Sequence, residues 1–165
     1  MKKTTSPMQL TRAADYAVRV MVYLAAHASD GRFSLPALAL ATGTPESFLS
    51  KVLQTLAHAR LINSRRGQAG GFEISELGRG ASMRDVIESV DGPICLNLCL
   101  MSARTCRRQA TCPAHPIWES AQHAMMEVLA SASIAALAAK GQEAAPRHKV
   151  CAAESEPALQ KLIAR

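Results

Sequence analysis

The sequence predicts a mainly α-helical protein: a winged helix-turn-helix with a short β-hairpin wing, followed by a long C-terminal dimerisation helix. Three observations support this fold class. Apolar residues recur at helical spacing through the N-terminal part, with capping residues at the expected helix ends. Two short apolar runs then flank a basic, glycine-rich turn, which is the pattern of a hairpin. Third, an alanine-rich run in the C-terminal part is typical of a long helix. Only 4% of the 165 residues are aromatic, so aliphatic side chains must fill the core, which favours helices.

The N-terminal half contains three predicted helices. The stretch "LTRAADYAVRVMVYLAA" predicts the first, with Thr11 as its N-cap. A short second helix is expected from a cap at Ser34 to a terminating glycine at Gly43. The third follows at once, with Thr44 as its expected cap. Two helices joined by a tight, glycine-containing turn form a helix-turn-helix candidate.

Polar and basic residues on the third helix and the hairpin point to double-stranded DNA as partner. The outward face of the helix carries groups that can hydrogen-bond to bases, and the arginines of "RRGQAGG" suit phosphate contact or minor-groove insertion. Either feature alone is common on solvated surfaces; the combination predicts DNA binding, in keeping with a net charge of +6. The candidate residues are Arg12, Ser47, Phe48, Ser50, Lys51, Gln54, Arg65, Arg66 and Gln68, with Lys2 and Lys3 as further phosphate contacts.

The C-terminal half is predicted to hold a short helix capped by Ser82 and then one uninterrupted helix, about 35–40 Å long. Its small and apolar residues recur near heptad spacing, which favours a homodimer over packing on its own domain. These residues are Ile117, Ala121, Ala124, Val128 and Ala135. The expected divisions are 8–80 for the DNA-binding domain, 81–114 for a short helix and cysteine loop, 115–140 for the dimerisation helix and 141–165 for a flexible tail in which Cys151 is a bystander.

Four cysteines and a histidine lie close together before the long helix. The N-terminus lacks the apolar run of a signal peptide and no stretch is long enough to span a membrane, so we expect a cytoplasmic protein with reduced thiols. The odd total of five cysteines fits a disulfide framework poorly. Their spacing is wider than the paired spacing of zinc sites and favours an iron–sulfur cluster, with zinc or unconnected cysteines as alternatives. The residues are Cys95, Cys99, Cys106, Cys112 and His115.

Several motifs together resemble the Rrf2 family of bacterial transcription factors, the group of the iron–sulfur regulators IscR, NsrR and RirA. They are "LTRAADYAVRVMVYLA", "RRGQAGGFEIS", "SMRDVIESVDGPI" and "CPAHPIW", in the family's order, from about Met8 to Lys140. The resemblance implies a homodimer on a palindromic operator. It also implies that Cys99, Cys106 and Cys112 hold a 2Fe–2S or 4Fe–4S cluster, with Cys95 as an additional thiol.

The resemblance offers two candidates for a fourth cluster ligand. IscR-like members use a histidine after the last cysteine, here His115. NsrR-like members use an acidic residue of the first helix, reaching from the partner subunit, here Asp15, which we favour. Asp15 also has an ordinary explanation as a first-turn acid paired with Arg19, and His115 as a residue at the start of a helix.

The expected function is therefore a transcriptional regulator, most simply a repressor, that senses nitric oxide, oxygen, redox state or iron–sulfur status. A weak oxygen or nitrogen ligand would leave one iron easier to attack than in an all-cysteine site. One rival is a regulator of the same fold with zinc or with no cluster. A more distant rival is a thiol redox enzyme using Cys106 or Cys112 as nucleophile, which the sequence disfavours because no base or substrate pocket is legible.

Overall fold

The computed structural model describes residues 10–67, 70–101, 106 and 108–144. As predicted, this part of the chain is mainly α-helical with one antiparallel hairpin. In chain order the elements are α1 (Arg12–Ala26), α2 (Leu35–Thr42), α3 (Glu46–His58), β1 (Ile62–Arg65), β2 (Gly71–Ile74), α4 (Glu76–Gly80), α5 (Met83–Asp91), α6 (His115–Ser131) and α7 (Ile134–Ala144), with 3-10 turns at Leu98–Leu100 and Gln109–Thr111. None of the described helices combines the length and apolarity of a membrane span.

The helix starts expected at three capping residues are confirmed. The side chains of Thr11, Ser34 and Ser82 each accept a hydrogen bond from the backbone N–H three residues further on. At Ser82 the cap is reciprocal, because the carboxylate of Asp85 accepts from the Ser82 N–H at 2.8 Å. Such caps satisfy N–H groups that have no partner within the helix. The start of each of these helices is therefore fixed locally.

We call residues 10–91 together with α7 the head, because they share one hydrophobic core. Helix α1 is its centre and packs against α2, α3, α5 and α7. A fully buried aliphatic side chain contributes about 1.5–3 kcal/mol, so this core holds the head's helices in place. The fully buried side chains are Val20, Met21, Leu24, Leu38, Leu49, Leu53, Leu56, Val86, Ile87 and Ile134.

The turn between α2 and α3 differs in one detail from the prediction. Gly43 adopts the left-handed conformation expected of a helix terminator, with φ at +62°. Thr44, however, is not the N-cap of α3. Its N–H donates to the Ala39 carbonyl at 3.0 Å and its side chain is buried, so it completes the turn instead. Helix α3 then begins at Glu46 after Pro45, which makes no side-chain cap bond.

The wing is the β1–β2 hairpin, with Ile62 paired to Ile74 at its buried base. The α1–α2 connection adds a short edge to it, since Phe33 and Phe72 exchange two backbone hydrogen bonds of 2.9 Å. Gly71 permits this close approach, because a Cβ atom there would lie 2.6 Å from the Phe33 carbonyl oxygen. The wing is thus tied to the head, while its tip at residues 68–69 lies outside the described residues.

The prediction of a single helix over 115–140 is wrong, because the structure has two helices there. Helix α6 ends at Ser131, Ala132 is extended, and the chain forms an antiparallel bridge between Ser133 and Ser82. Helix α7 then returns to α1, burying Ile134 and Ala138 in the head core, so apolar burial outweighs the interruption of the helix. With 17 residues α6 is about 25 Å long. Helix α7 also runs into the tail expected from residue 141; residues 145–165, with Cys151, lie outside the described part.

Candidate functional site

Helix α3 separates buried and exposed residues as the DNA-binding interpretation requires. Leu49, Leu53 and Leu56 face the core. The opposite face bears the candidate base-reading residues: Ser47, Phe48, Lys51 and Gln54 are exposed and Ser50 is half-buried. Phe48 is 55% exposed at the start of α3, with its ring edge-on to Tyr16 at a centroid distance of 6.4 Å. The core therefore holds this face of α3 toward solvent.

Three candidate phosphate-contacting arginines are also exposed. Arg12 opens α1, Arg65 ends β1 and Arg66 follows it at the wing tip. Among the described residues none of the three forms an ion pair, whereas Arg32 at the wing's edge is paired with Glu73 at 2.7 Å. Their charges are thus free to meet an anionic backbone. The remaining candidates, Gln68, Lys2 and Lys3, lie outside the described residues.

We call the described residues of 92–131 the arm; its first part is the cysteine segment, residues 92–114. All four of its cysteines are half-buried free thiols: Cys95, Cys99, Cys106 and Cys112. The side-chain amide of Gln122, on α6, clamps the start of the segment. It donates to the Ile94 carbonyl at 2.9 Å and accepts from the Leu96 N–H at 2.8 Å, on either side of Cys95.

The imidazole of His115 lies where the segment meets α6. The backbone N–H of His115 donates to the Cys112 carbonyl at 3.2 Å, and Nε2 of its ring lies 3.1 Å from the side-chain amide nitrogen of Gln109. Its Nδ1 atom is buried without a hydrogen-bond partner in the described structure. Buried polar atoms seldom lack a partner. Free thiols and an unpartnered imidazole nitrogen are donors that suit a soft metal centre or an iron–sulfur cluster.

These donors are nevertheless not gathered into a metal site. In the part of the chain that the structure describes, no three histidine, cysteine, aspartate or glutamate side chains converge to hold a metal ion. Asp15 lies instead on α1, with its carboxylate 2.8 Å from Arg19 and both side chains 53% exposed. This is the ordinary helix pair that the sequence offered as an alternative. The donor set therefore fits a cluster in chemical kind, and residues 102–105 and 107 lie outside the description.

The model of the Rrf2 family, described as an iron-dependent transcriptional regulator, matches residues 10–140. The chain belongs to the Rrf2 family. An HTH-type transcriptional regulator of Mycobacterium tuberculosis strain H37Rv is 41% identical over 87 residues, 53% of this chain and 54% of that protein. The match thus spans about half of this relative. An Azotobacter vinelandii regulator of the same type is 32% identical over 133 residues, 81% of this chain and 80% of its own.

Solved structures share the Rrf2 fold with this chain. IscR of T. potens is 25% identical, with a TM-score of 0.65 over 84% of this chain and 92% of its own. CymR, the global cysteine regulator of B. subtilis, is 22% identical with a TM-score of 0.63, over 81% of this chain and 98% of its own, and shows the fold alone. The family and the matched relatives are described as regulators of transcription and not as enzymes.

Sequence analysis missed two residues whose hydrogen bonds lie at or next to the cysteine segment. Gln122 left no signal, because its partners are backbone groups far away in sequence. Asp91 did leave one: it is an acid in the last turn of α5, where the helix dipole disfavours a negative charge. Its carboxylate instead accepts two hydrogen bonds from Thr11 at the start of α1.

Proposed function

We propose that this Rrf2-family protein is a homodimeric transcriptional repressor that binds a palindromic DNA operator in the cytoplasm. It senses nitric oxide, oxygen, redox state or iron–sulfur status through an iron–sulfur cluster. The observation that carries the proposal is a segment with four free thiols joined directly to a winged head. The IscR relative and the iron-dependent description of the family support it.

DNA recognition would divide between α3 and the wing. The exposed face of α3 would enter the major groove, where Lys51 and Gln54 can hydrogen-bond to base edges. Arg65, Arg66 and Gln68 would contact the minor groove or backbone, and Arg12 a phosphate. Ser47, Phe48 and Ser50 would complete the α3 contacts. Two heads in a symmetric dimer would read the two halves of a palindrome.

The thiolates of Cys99, Cys106 and Cys112 would hold the cluster. When bound, it supplies one-electron redox chemistry and reactivity toward nitric oxide and oxygen. For the fourth ligand we favour Asp15 of the partner subunit. Releasing this carboxylate from its exposed pair with Arg19 costs little, since such pairs contribute about 0–1 kcal/mol. His115 is the alternative, because its Nδ1 has no partner among the described residues.

Dimerisation would use α6. The structure buries none of its residues, and Ile117 and Val128 are 70% and 67% exposed. A 17-residue helix with exposed apolar side chains is expected to bury them against another surface. A second copy of the same helix is the simplest partner in a symmetric dimer.

Anaerobic purification with iron, sulfide and zinc analysis and an absorption spectrum tests the cluster. Wild-type protein should be brown and contain iron and sulfide; Cys106→Ala should lose both. Cys95→Ala is the matched control and should keep them. Asp15→Ala should hold a less stable cluster, whereas unchanged cluster content and gas sensitivity would exclude Asp15. Iron-free wild-type protein would contradict the cluster.

DNA binding is tested with a duplex selected by the wild-type protein from a random-sequence pool. Arg66→Ala should weaken binding by about 1–3 kcal/mol, and the loss should depend on base sequence if the side chain acts in the minor groove. Arg32→Ala is the control, since Arg32 is already neutralised by Glu73. Equal binding by Arg66→Ala and wild type would mean that the wing is misassigned.

A regulator of the same fold with zinc or with free thiols is the second candidate. Its free-thiol form is favoured by the lack of a converged donor group in the described residues. Colourless protein with one zinc per chain would support the zinc form. Colourless, metal-free protein that still binds the selected duplex would support the thiol form.

A further inference from the structure

The carboxylate of Asp91 caps a helix other than its own. Its Oδ1 accepts from the Thr11 hydroxyl at 2.6 Å and its Oδ2 accepts from the Thr11 N–H at 3.0 Å. Thr11 is itself the N-cap of α1, with its side-chain oxygen accepting from the Ala14 N–H at 3.3 Å. Asp91 therefore extends the cap of α1 from 80 residues further along the chain.

Electrostatics indicate that Asp91 serves α1 rather than α5. A negative charge in the last turn of α5 is disfavoured by that helix's dipole. The same charge at the start of α1 is favoured, and the hydrogen bonds it accepts are charge-assisted. Arg12, the proposed phosphate contact, follows Thr11 directly, and α1 packs on α3. The contact thus lies at the edge of the DNA-binding surface.

The other side of Asp91 leads directly into the cysteine segment. Gly92 turns the chain with φ at +82°, a conformation that favours glycine. After Pro93, the Ile94 N–H donates to Glu88 of α5 at 3.4 Å, and the Ile94 carbonyl is held by Gln122 of α6. The backbone beside Cys95 is therefore held from both helices, and only two residues separate it from Asp91. A displacement of the backbone at Ile94 is therefore expected to move Asp91 as well.

We propose that Asp91 is a positioning residue that couples the cysteine segment to α1 and, through α1, to the DNA-binding face. The inference deepens the proposed function and rests on its DNA-binding part. A change in what the cysteine thiols bind shifts the backbone at Ile94. This shift moves the Asp91 carboxylate relative to Thr11 and so alters the start of α1. By thermodynamic reciprocity, DNA bound to the head alters the cysteine segment through the same contact.

Reciprocity allows a test that needs no cluster. Metal-free, reduced full-length protein is labelled with a thiol-alkylating reagent, and the rate at Cys95 is followed by mass spectrometry with and without the selected duplex. The variant is Asp91→Asn, whose side-chain amide keeps the shape but loses the charge and one acceptor. Asp30→Asn is the control, since the Asp30 carboxylate lies on an exposed turn and, among the described residues, accepts a hydrogen bond from the Ser29 hydroxyl alone. Thr11→Ser keeps both donors to Asp91 and should behave as wild type.

In wild type, Asp30→Asn and Thr11→Ser, DNA should change the Cys95 labelling rate about fivefold or more, the lower range of allosteric coupling. In Asp91→Asn the change should fall below about twofold, even where the duplex is saturating. An equal change in Asp91→Asn and wild type would reduce Asp91 to a structural role and overturn the inference, as would no DNA effect in wild type. Protein that binds no iron would refute the proposed cluster while leaving this comparison decisive. Protein that binds no duplex would refute both.

Discussion

The head and the arm are built on different physical principles. The head has fully buried side chains from α1, α2, α3, α5 and α7. Among the described residues of the arm none is buried, and the cysteine segment is held by hydrogen bonds from Gln122 and Glu88. Apolar burial is non-directional and tolerant, whereas hydrogen bonds need exact partners. The α3 face proposed to bind DNA is therefore preformed, whereas the cysteine segment depends on a few polar contacts.

The largest effect is expected from emptying the head core. Leu53→Ala removes a fully buried side chain and should lower the free energy of unfolding by roughly 3 kcal/mol. Leu40→Ala is the same change at a side chain that is 88% exposed and should cost less than about 0.5 kcal/mol. Urea denaturation of both variants measures the difference. Similar losses would show that the head does not depend on its core.

A charge placed on α6 should weaken the proposed dimer without destabilising the head. In the proposed α6 dimer, Val128→Asp should raise the dissociation constant at least about tenfold, equivalent to about 1.4 kcal/mol, because a charge would be buried among apolar side chains. Leu77→Asp, at an exposed position of the head, is the control and should leave the dimer intact. Sedimentation equilibrium measures both. An unchanged dimer in Val128→Asp would place the interface elsewhere.

The reciprocal cap between Ser82 and Asp85 at the start of α5 lies beside the Ser82–Ser133 bridge, where the chain passes from the arm back to the head. Two hydrogen bonds donated to Asp85 lower the pKa of its carboxyl below the ordinary value of 3.8. The bond from the Ser82 hydroxyl has the larger effect and the bond from the Ser82 N–H the smaller one. Its stabilisation is therefore present above that pH and is lost as pH falls through the lowered pKa.

Asp85→Asn should lower the free energy of unfolding by about 1 kcal/mol at pH 7. The difference from wild type should shrink toward zero as the pH falls below 3.8 and through the lowered pKa of Asp85, because the wild-type side chain then becomes neutral like the amide. Denaturation at several pH values provides the measurement, with Asp30→Asn as control. A difference that persists unchanged in acid would mean that the cap does not depend on ionisation.

The smallest effect is expected at the base of the wing. Arg60 is the one described non-glycine residue with a positive φ, at +61°. Arg60→Gly should raise the free energy of unfolding by about 0.5–1 kcal/mol, because glycine adopts this conformation without the steric cost of a Cβ atom. Arg60→Ala keeps the Cβ atom and should bring no gain in thermal melting. Equal behaviour of the two variants would remove backbone strain as the cause.

Local rules predicted the head well. Caps at Thr11, Ser34 and Ser82, the left-handed Gly43 and the hairpin depend on neighbouring residues, so the sequence alone reveals them. The break between α6 and α7 has a local mark in Ser133, whose hydroxyl accepts from the Ala136 N–H at 3.2 Å, but it was missed because no proline or glycine accompanies it. There, the burial of Ile134 in the head core decides the structure, and a distant core is invisible to local periodicity.

The candidate site was predictable only in part. The exposure of the α3 face followed from helical periodicity, since its inner stripe of leucines could be counted. The sequence could not decide between Asp15 and His115 as fourth ligand of the proposed cluster, because a ligand contributed by a partner subunit would leave no trace in the spacing. The clamps at Gln122 and Asp91 also escaped, because each joins groups from distant parts of the chain.

The return of α7 has a consequence for synthesis on the ribosome. Ile134 and Ala138 complete the head core, yet they are translated after the whole cysteine segment. The head therefore reaches its full stability only once every described cysteine has left the exit tunnel. The four thiols of the cysteine segment therefore leave the ribosome before the side chains that complete the head core.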